Sequence, residues 1–281
     1  MSATRIPDAA PPSLVTRAQS SETTVVDVRG RRIGNGWLGL VAGPCTVESR
    51  EQTLAAARAV AAAGGTWLRG GAFKLRTSPY SFQGLGAEAL DILAEARAET
   101  GLPLVTELVD PRHARDVASV ADVIQIGARN MHNAPLLSEA AATGKPILLK
   151  RAPAASVDEL LMAAEYVLTA GNEKVLLCER GIRTFEHSTR YTLDIGAVPV
   201  LKRETHLPVI VDPSHAAGQR DLVLPLARAA VAAGADGVLV EVHPAPEEAL
   251  CDGPQQIPAA EFAEFAGEIR ELAALMGKVI G

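Results

Sequence analysis

Short apolar runs alternate with longer stretches rich in Ala, Leu, Glu and Arg over most of the chain. Each run is nearly all apolar, which is typical of parallel strands that helices cover on both faces. We therefore predict strands at residues 38–42, 66–69, 104–107, 123–126, 146–150, 175–178, 209–211 and 237–240.

The stretches between these runs have the composition and spacing of helices, for example at residues 51–63, 87–100 and 222–233. Several end in glycine, the residue that most often follows the last helical turn. Eight β/α units in 281 residues predict a closed (β/α)₈ TIM barrel of the α/β class. An open doubly wound sheet is the alternative, but no G-x-G-x-x-G turn follows the first strand.

The pattern changes before the barrel. Residues 1–22 are rich in Pro, Ser, Thr and Ala without periodicity, which predicts a flexible tail. Residues 24–28 and 36–40 then predict a short N-terminal β-hairpin across residues 29–35, whose second half is expected to run into the first main strand. Residues 23–281 are predicted to form one catalytic barrel domain that includes this hairpin.

Composition narrows the possible partners. The hydrophobic content of 48% is enough for one large core, and the formal net charge of -6 argues against a nucleic-acid-binding surface. The chain has no apolar run long enough to cross a membrane and no signal peptide, which predicts a cytoplasmic protein. Its three cysteines are too few and too scattered for a disulfide framework.

Cations follow many of the predicted strands. In a TIM barrel the active site lies at the carboxyl ends of the strands, where these side chains would meet. Arginine offers paired donors to a phosphate or carboxylate, and lysine offers a point charge and a proton. The alternatives are an exposed basic loop and a surface salt bridge between Arg180 and Glu179. The candidates for anion binding are Arg69, Lys74, Arg76, Arg129, Lys150 and Arg180.

Lys150 and Arg151 are adjacent on one predicted strand. Successive strand residues face opposite ways, so only one of the two can point into the barrel mouth. We predict that Lys150 points inward and that Arg151 lies at the rim.

Four possible metal ligands lie at or just after predicted strand ends: Cys45, His215, Glu241 and Asp252. Each alone has a structural interpretation, as a buried small residue, a structural histidine, a loop charge or a helix cap. Together they suit Mn²⁺, Fe²⁺, Co²⁺ or Zn²⁺ better than Mg²⁺ or Ca²⁺.

Several motifs occur in order along the chain. They are residues 42–48 (AGPCTVE), 69–84 (RGGAFKLRTSPYSFQG), 126–130 (IGARN), 149–151 (LKR), 178–186 (CERGIRTFE), 212–218 (DPSHAAG) and 252–256 (DGPQQ). With these motifs the chain resembles the class I beta 3-deoxy-D-arabino-heptulosonate 7-phosphate (DAHP) synthases. The resemblance implies a metal-dependent TIM barrel that condenses phosphoenolpyruvate with erythrose 4-phosphate, the first step of the shikimate pathway.

The resemblance also implies roles for individual residues. Cys45, His215, Glu241 and Asp252 would bind the metal. Arg69, Lys74, Arg129, Lys150 and Arg180 would bind phosphoenolpyruvate, and Arg76 and Thr77 would bind the phosphate of erythrose 4-phosphate. Lys74 would donate a proton, and Cys45 and His215 would join it in catalysis. The family's usual Lys-Pro-Arg-Thr reads Lys-Leu-Arg-Thr from Lys74 to Thr77, which removes a residue that fixes φ.

Three alternatives stay open at this point. A 3-deoxy-D-manno-octulosonate 8-phosphate synthase would use arabinose 5-phosphate, but its loop typically reads Lys-Ala-Asn-Arg. A non-catalytic barrel would have lost a metal ligand or Lys74. A metal-dependent hydrolase would have a His-rich motif on the first strand, which is absent from the sequence.

Family precedent further suggests a homodimer or homotetramer. No extra regulatory domain fits before the barrel or after it. We therefore expect either insensitivity to feedback or control by a separate protein such as a chorismate mutase.

Overall fold

The computed structural model describes residues 13–76 and 78–281. Its strands are β1 (Val26–Val28), β2 (Arg31–Ile33), β3 (Trp37–Gly43), β4 (Trp67–Arg69), β5 (Leu104–Glu107), β6 (Val123–Ile126), β7 (Ile147–Lys150), β8 (Val175–Glu179), β9 (Val209–Val211), β10 (Gly237–His243), β11 (Ile257–Pro258) and β12 (Val279–Ile280). Its α-helices are α1 (Arg50–Ala62), α2 (Ala87–Thr100), α3 (Ala114–Val120), α4 (Ala134–Ala142), α5 (Val157–Thr169), α6 (Ala197–Glu204), α7 (Pro213–Ala217), α8 (Val223–Ala232) and α9 (Phe262–Leu275).

Strands β3 to β10 form a closed parallel barrel. Each pairs with the next in sequence order, and β10 closes the ring by pairing with β3 from Gly237 opposite Gly39 to Glu241 opposite Gly43. The predicted TIM barrel is confirmed, and the predicted strand boundaries lie close to the observed ones. The agreement follows from burial on both strand faces, which makes the apolar runs continuous.

Two apolar layers hold the barrel together. The outer strand faces pack with the helices around them in one large buried cluster. Inside the barrel, alternating side chains such as Val41, Trp67 and Leu148 form a second cluster. Val26 and Ile33 from β1 and β2 belong to the interior cluster, so the N-terminal hairpin packs against the barrel interior.

The hairpin is tighter than predicted. β1 pairs antiparallel with β2, and Val28 lies opposite Arg31. Arg29 and Gly30, at the turn, have φ values of 54° and 81°, the left-handed values of a two-residue hairpin turn. The strand that pairs with β1 is therefore Arg31–Ile33 rather than residues 36–40, which run into barrel strand β3 as expected.

Residues 13–22, which lie within the predicted tail, contact the barrel. The Glu165 carboxylate on α5 accepts hydrogen bonds from the backbone N–H groups of Ser13, Leu14 and Val15. Val15 is fully buried, and its carbonyl accepts a hydrogen bond from the Thr205 hydroxyl. This segment is therefore anchored, and residues 1–12 lie outside the described residues. The domain boundaries stay a prediction.

We expect Thr205→Val to lower the free energy of unfolding by about 1–3 kcal/mol, because it leaves buried backbone groups unpaired. Thr205 is fully buried, and its hydroxyl also accepts a hydrogen bond from the Leu207 N–H. Urea unfolding measures the change. The control is Thr169→Val, at an exposed helical hydroxyl. Equal unfolding midpoints for the two variants would contradict this prediction.

No helix in the described part of the chain has the length and apolar character needed to cross a bilayer.

Candidate active site

The structure brings the four predicted metal ligands together. Cys45 lies on the loop after β3, His215 on α7, Glu241 on β10 and Asp252 on the loop after β10. One ligand atom from each lies within 4.8 Å of the others. The Cys45 sulphur is 3.4 Å from Asp252 Oδ2, and His215 Nε2 is 3.4 Å from Glu241 Oε1.

The protonation of these groups fits a divalent transition metal ion. Burial lowers the pKa of His215 to about 4, so its imidazole is neutral at pH 7 and available as a ligand. Burial raises the pKa of the Cys45 thiol, and a bound divalent cation would displace that proton. One sulphur, one imidazole nitrogen and two carboxylates are the donors that such an ion prefers.

Asp212 fixes the orientation of His215. His215 Nδ1 is 2.7 Å from Asp212 Oδ2, and the His215 backbone N–H donates to Asp212 Oδ1. Because the carboxylate only accepts, Nδ1 carries the hydrogen and the Nε2 lone pair faces Glu241 and Asp252. Burial opposes the charge of Asp212, but His215 and Lys150 hold its pKa well below the usual range.

A cavity of about 280 Å³ borders this cluster and is lined by three of the four ligands, Cys45, His215 and Asp252. All six predicted anion-binding cations line it: Arg69, Lys74, Arg76, Arg129, Lys150 and Arg180. Arg69 Nε and Arg180 Nη1 are buried without a hydrogen-bond partner among the residues that the structure describes. Buried donors are normally paired, so these two atoms are suited to an anionic ligand. Thr77 lies outside the described residues.

Lys74 lies between the cation-lined cavity and the metal ligands. Its Nζ is 2.7 Å from the Cys45 sulphur and 3.1 Å from Asp252 Oδ2. Burial alone would lower the pKa of Lys74, but the surrounding negative charges, including Glu241 and Asp252, raise it above the ordinary value. Lys74 is therefore an ammonium group at neutral pH and has a proton to donate.

Arg76 and Arg129 are two other loop cations that line the cavity. Arg76 Nη1 is 2.7 Å from the Cys251 sulphur, and Arg129 Nη1 donates to the Leu75 carbonyl at 3.3 Å. Both guanidinium groups therefore reach the cavity from loops rather than from the strands.

Lys150 and Arg151 do face opposite ways, but Arg151 is buried rather than at the rim. Lys150 lines the cavity and pairs with Asp212. Arg151 is only 5% exposed and pairs with Glu179 and Asp194, each at 2.9 Å. The predicted rim position is therefore wrong, because the loop after β8 folds over Arg151. The alternative pairing of Arg180 with Glu179 does not form either, since Glu179 faces Arg151.

Three residues in this region were not predicted from the sequence. The Arg180 guanidinium carbon lies 4.4 Å from the centre of the Tyr191 ring. Arg190 donates to Asp252, and Gln255 donates to Glu241. Arg190 and Tyr191 lie in the loop after β8, away from any strand end, so the strand-end pattern does not point to them. Gln255 had one signal, its place in the motif at residues 252–256.

The family assignment comes from a match over nearly the whole chain. Residues 18–277 match the model of the DAHP synthetase I family. The chain belongs to the DAHP synthetase I family. A phospho-2-dehydro-3-deoxyheptonate aldolase from Thermotoga maritima is 51% identical over 95% of this chain and 79% of that protein.

Solved structures agree with this family assignment. A crystal structure of the Thermotoga maritima DAHP synthase has a TM-score of 0.94 and 50% identity, and covers 98% of this chain and 80% of that chain. A 2-dehydro-3-deoxyphosphooctonate aldolase from Bradyrhizobium sp. is 36% identical over 91% of this chain and 94% of that protein. The higher identity lies with the heptonate enzyme, which confirms the expectation of a DAHP synthase rather than an octulosonate synthase.

Proposed function

We propose that this protein condenses phosphoenolpyruvate with erythrose 4-phosphate and water to give DAHP and phosphate. The observation that carries the proposal is a single cavity that is lined by seven cations, the six predicted ones and Arg190, and that borders the four clustered metal-binding groups. Both substrates are anions that repel each other in solution. A cavity of this charge holds them side by side, which lowers the entropic cost of their reaction.

The cations divide between the two substrates by their position in the motifs. We assign Arg69, Lys74, Arg129, Lys150 and Arg180 to phosphoenolpyruvate, and Arg76 with Thr77 to the phosphate of erythrose 4-phosphate. The unpaired donors on Arg69 and Arg180 support the first assignment. The position of Arg76 on the loop beside Cys251 supports the second, because it leaves the guanidinium at the cavity wall.

The reaction needs a proton at the aldehyde oxygen. The enol carbon of phosphoenolpyruvate attacks the aldehyde carbon, and the aldehyde oxygen takes a proton as the C–C bond forms. Lys74 is the donor that we propose, because its ammonium lies beside the metal ligands and faces the cavity. Water then adds to the carbon that bears the phosphate ester. The bond between that carbon and the bridging oxygen breaks, so phosphate leaves with this oxygen.

Cys45, His215, Glu241 and Asp252 are the residues that we propose for the divalent ion. When bound there, the ion supplies Lewis-acid polarisation of the aldehyde oxygen. The donor set favours Mn²⁺, Fe²⁺, Co²⁺ or Zn²⁺, and does not choose among these four.

We expect phosphate release from phosphoenolpyruvate to require both erythrose 4-phosphate and a divalent ion. EDTA should lower the rate at least about 100-fold, since Lewis-acid polarisation contributes several kcal/mol. Adding back single metals should restore it.

Arabinose 5-phosphate should be at least about tenfold poorer in kcat/KM, because it adds one carbon to a site sized for the shorter sugar. Equal use of the two aldehydes would favour the octulosonate reaction, and full activity in EDTA would remove the metal from the proposal.

The assembly and regulation expected from the resemblance stay predictions. A homodimer or homotetramer is tested by light scattering. Control by a separate chorismate mutase is tested by measuring feedback inhibition with and without that partner.

A further inference from the structure

We propose that Arg190 and Gln255 are positioning residues that hold the carboxylates of Glu241 and Asp252 in the orientation a divalent ion needs. This inference rests on the metal site of the proposed function. It concerns a part of the chain to which neither the strand-end pattern nor the motif resemblance assigned a role.

Each metal-binding carboxylate has one oxygen toward the ligand cluster and one behind it. Asp252 Oδ2 is 3.1 Å from Lys74 Nζ and 3.9 Å from His215 Nε2, while Glu241 Oε1 is 3.4 Å from His215 Nε2. The rear oxygens are therefore Asp252 Oδ1 and Glu241 Oε2. Metal-binding side chains depend on such outer contacts for their orientation.

One hydrogen-bonded chain joins the two rear oxygens. Arg190 Nη1 donates to Asp252 Oδ1 at 3.1 Å and to Gln255 Oε1 at 3.0 Å. Gln255 Nε2 then donates to Glu241 Oε2 at 2.6 Å. Gln255 is 2% exposed, so its amide can use both ends only in this orientation. The chain fixes both carboxylates at once.

The backbone at Arg190 is itself anchored to the element that carries His215. The Arg190 N–H donates to the Ala217 carbonyl at 3.0 Å, and the Tyr191 N–H donates to the Ala216 carbonyl at 2.9 Å. Ala216 and Ala217 follow His215 on α7. The Arg190 side chain is 36% exposed, but its backbone is held against the element that bears one ligand while its guanidinium binds another.

The positive charge of Arg190 also helps to hold the Asp252 carboxylate in place. Asp252 and Glu241 are both anionic, and in the absence of a cation they repel each other across the site. Arg190 places a positive charge behind Asp252 through its contact with Oδ1, without occupying the oxygen that faces the other ligands.

The test is the affinity of the purified chain for Co²⁺, measured by competition with a chromophoric chelator and by the Co²⁺ absorption spectrum. We expect Arg190→Gln and Gln255→Leu each to weaken Co²⁺ binding about 10- to 100-fold, the usual effect of losing an outer partner. Arg190→Lys should keep most of the affinity, because one nitrogen makes both contacts. The double variant Arg190→Gln with Gln255→Leu should lose less than the sum of the single losses, because both belong to one chain.

The matched control is Arg183→Gln, at an exposed arginine on the same loop. It should bind Co²⁺ like the wild type. Arg190→Gln should lower the thermal midpoint of the metal-free protein less than it lowers the midpoint of the Co²⁺-bound protein, so the metal-induced rise should shrink. Unchanged Co²⁺ affinity and spectrum in both single variants would overturn the inference while leaving the proposed function intact. Equal losses of stability with and without metal would also overturn it, in favour of a purely structural role. A wild type that binds no divalent ion would instead overturn the metal site itself.

Discussion

Lys74→Met should lower kcat by about 10² to 10⁴, the usual contribution of a well-placed proton donor. Methionine keeps nearly the length and shape of the lysine side chain but has no proton to give. The Lys74 ammonium is 2.7 Å from the Cys45 sulphur and faces the cavity, so no other described cation is as close to that ligand. Steady-state phosphate release measures the effect.

The metal affinity of Lys74→Met shows whether Lys74 acts as a proton donor or as part of the metal site. An ammonium group repels a divalent cation, so Lys74→Met should bind Co²⁺ at least as tightly as the wild type while it turns over slowly. The control, Lys174→Met, changes an exposed lysine and should leave Co²⁺ affinity and turnover unchanged. Near-normal turnover in Lys74→Met would show that another group donates the proton. Loss of metal together with turnover would assign Lys74 to the metal site instead.

Asp212→Asn should combine a large loss of stability with a loss of metal binding. Asp212 is fully buried and receives Lys150, the His215 ring and the His215 backbone N–H. Whichever way an asparagine amide is turned, its NH₂ group meets one of these donors. Breaking such a buried pair leaves Lys150 uncompensated, at a cost of about 3–5 kcal/mol.

The metal effect of Asp212→Asn comes from the His215 tautomer. A carboxylate requires the hydrogen on Nδ1 and leaves the Nε2 lone pair free, whereas an amide NH₂ at Nδ1 favours the opposite tautomer. Co²⁺ affinity should fall about 10- to 100-fold. Urea unfolding of the metal-free protein and chelator competition measure the two effects, with exposed Asp221→Asn as the control. Wild-type stability and metal affinity in Asp212→Asn would show that Lys150 and His215 do not depend on this carboxylate.

The barrel could be predicted from the sequence because parallel strands covered on both faces give continuous apolar runs. Once the strands were parallel, their carboxyl ends had to meet at one rim. Cys45, His215 and Lys150 therefore had to approach one another, whatever the length of chain between them. The roles of these residues came from the motif resemblance, since spacing alone left a structural interpretation open for each ligand.

The N-terminal hairpin shows where the pattern failed. Both β2 and the start of β3 are short and partly apolar, and the alternation does not say which of them pairs with β1. The structure chooses β2, because Arg29 and Gly30 adopt the left-handed turn that two adjacent strands require. The predicted position of Arg151 was wrong for a similar reason. Strand alternation gave the direction of its side chain, but the loop that buries it follows no periodicity.

The sequence by itself determined the order of the strands, the closure of the barrel and the cations and ligands at its rim, because hydrophobic periodicity reports which face of each element is buried. Only the tertiary structure decided that Arg190 and Gln255 lie behind the metal-binding carboxylates. Arg190 lies 62 residues from Asp252 in sequence, in the middle of a loop whose path depends on packing against α7. Local pattern carries no information about such a contact, so the pairing of Arg190 with Asp252 exists only once the chain has folded.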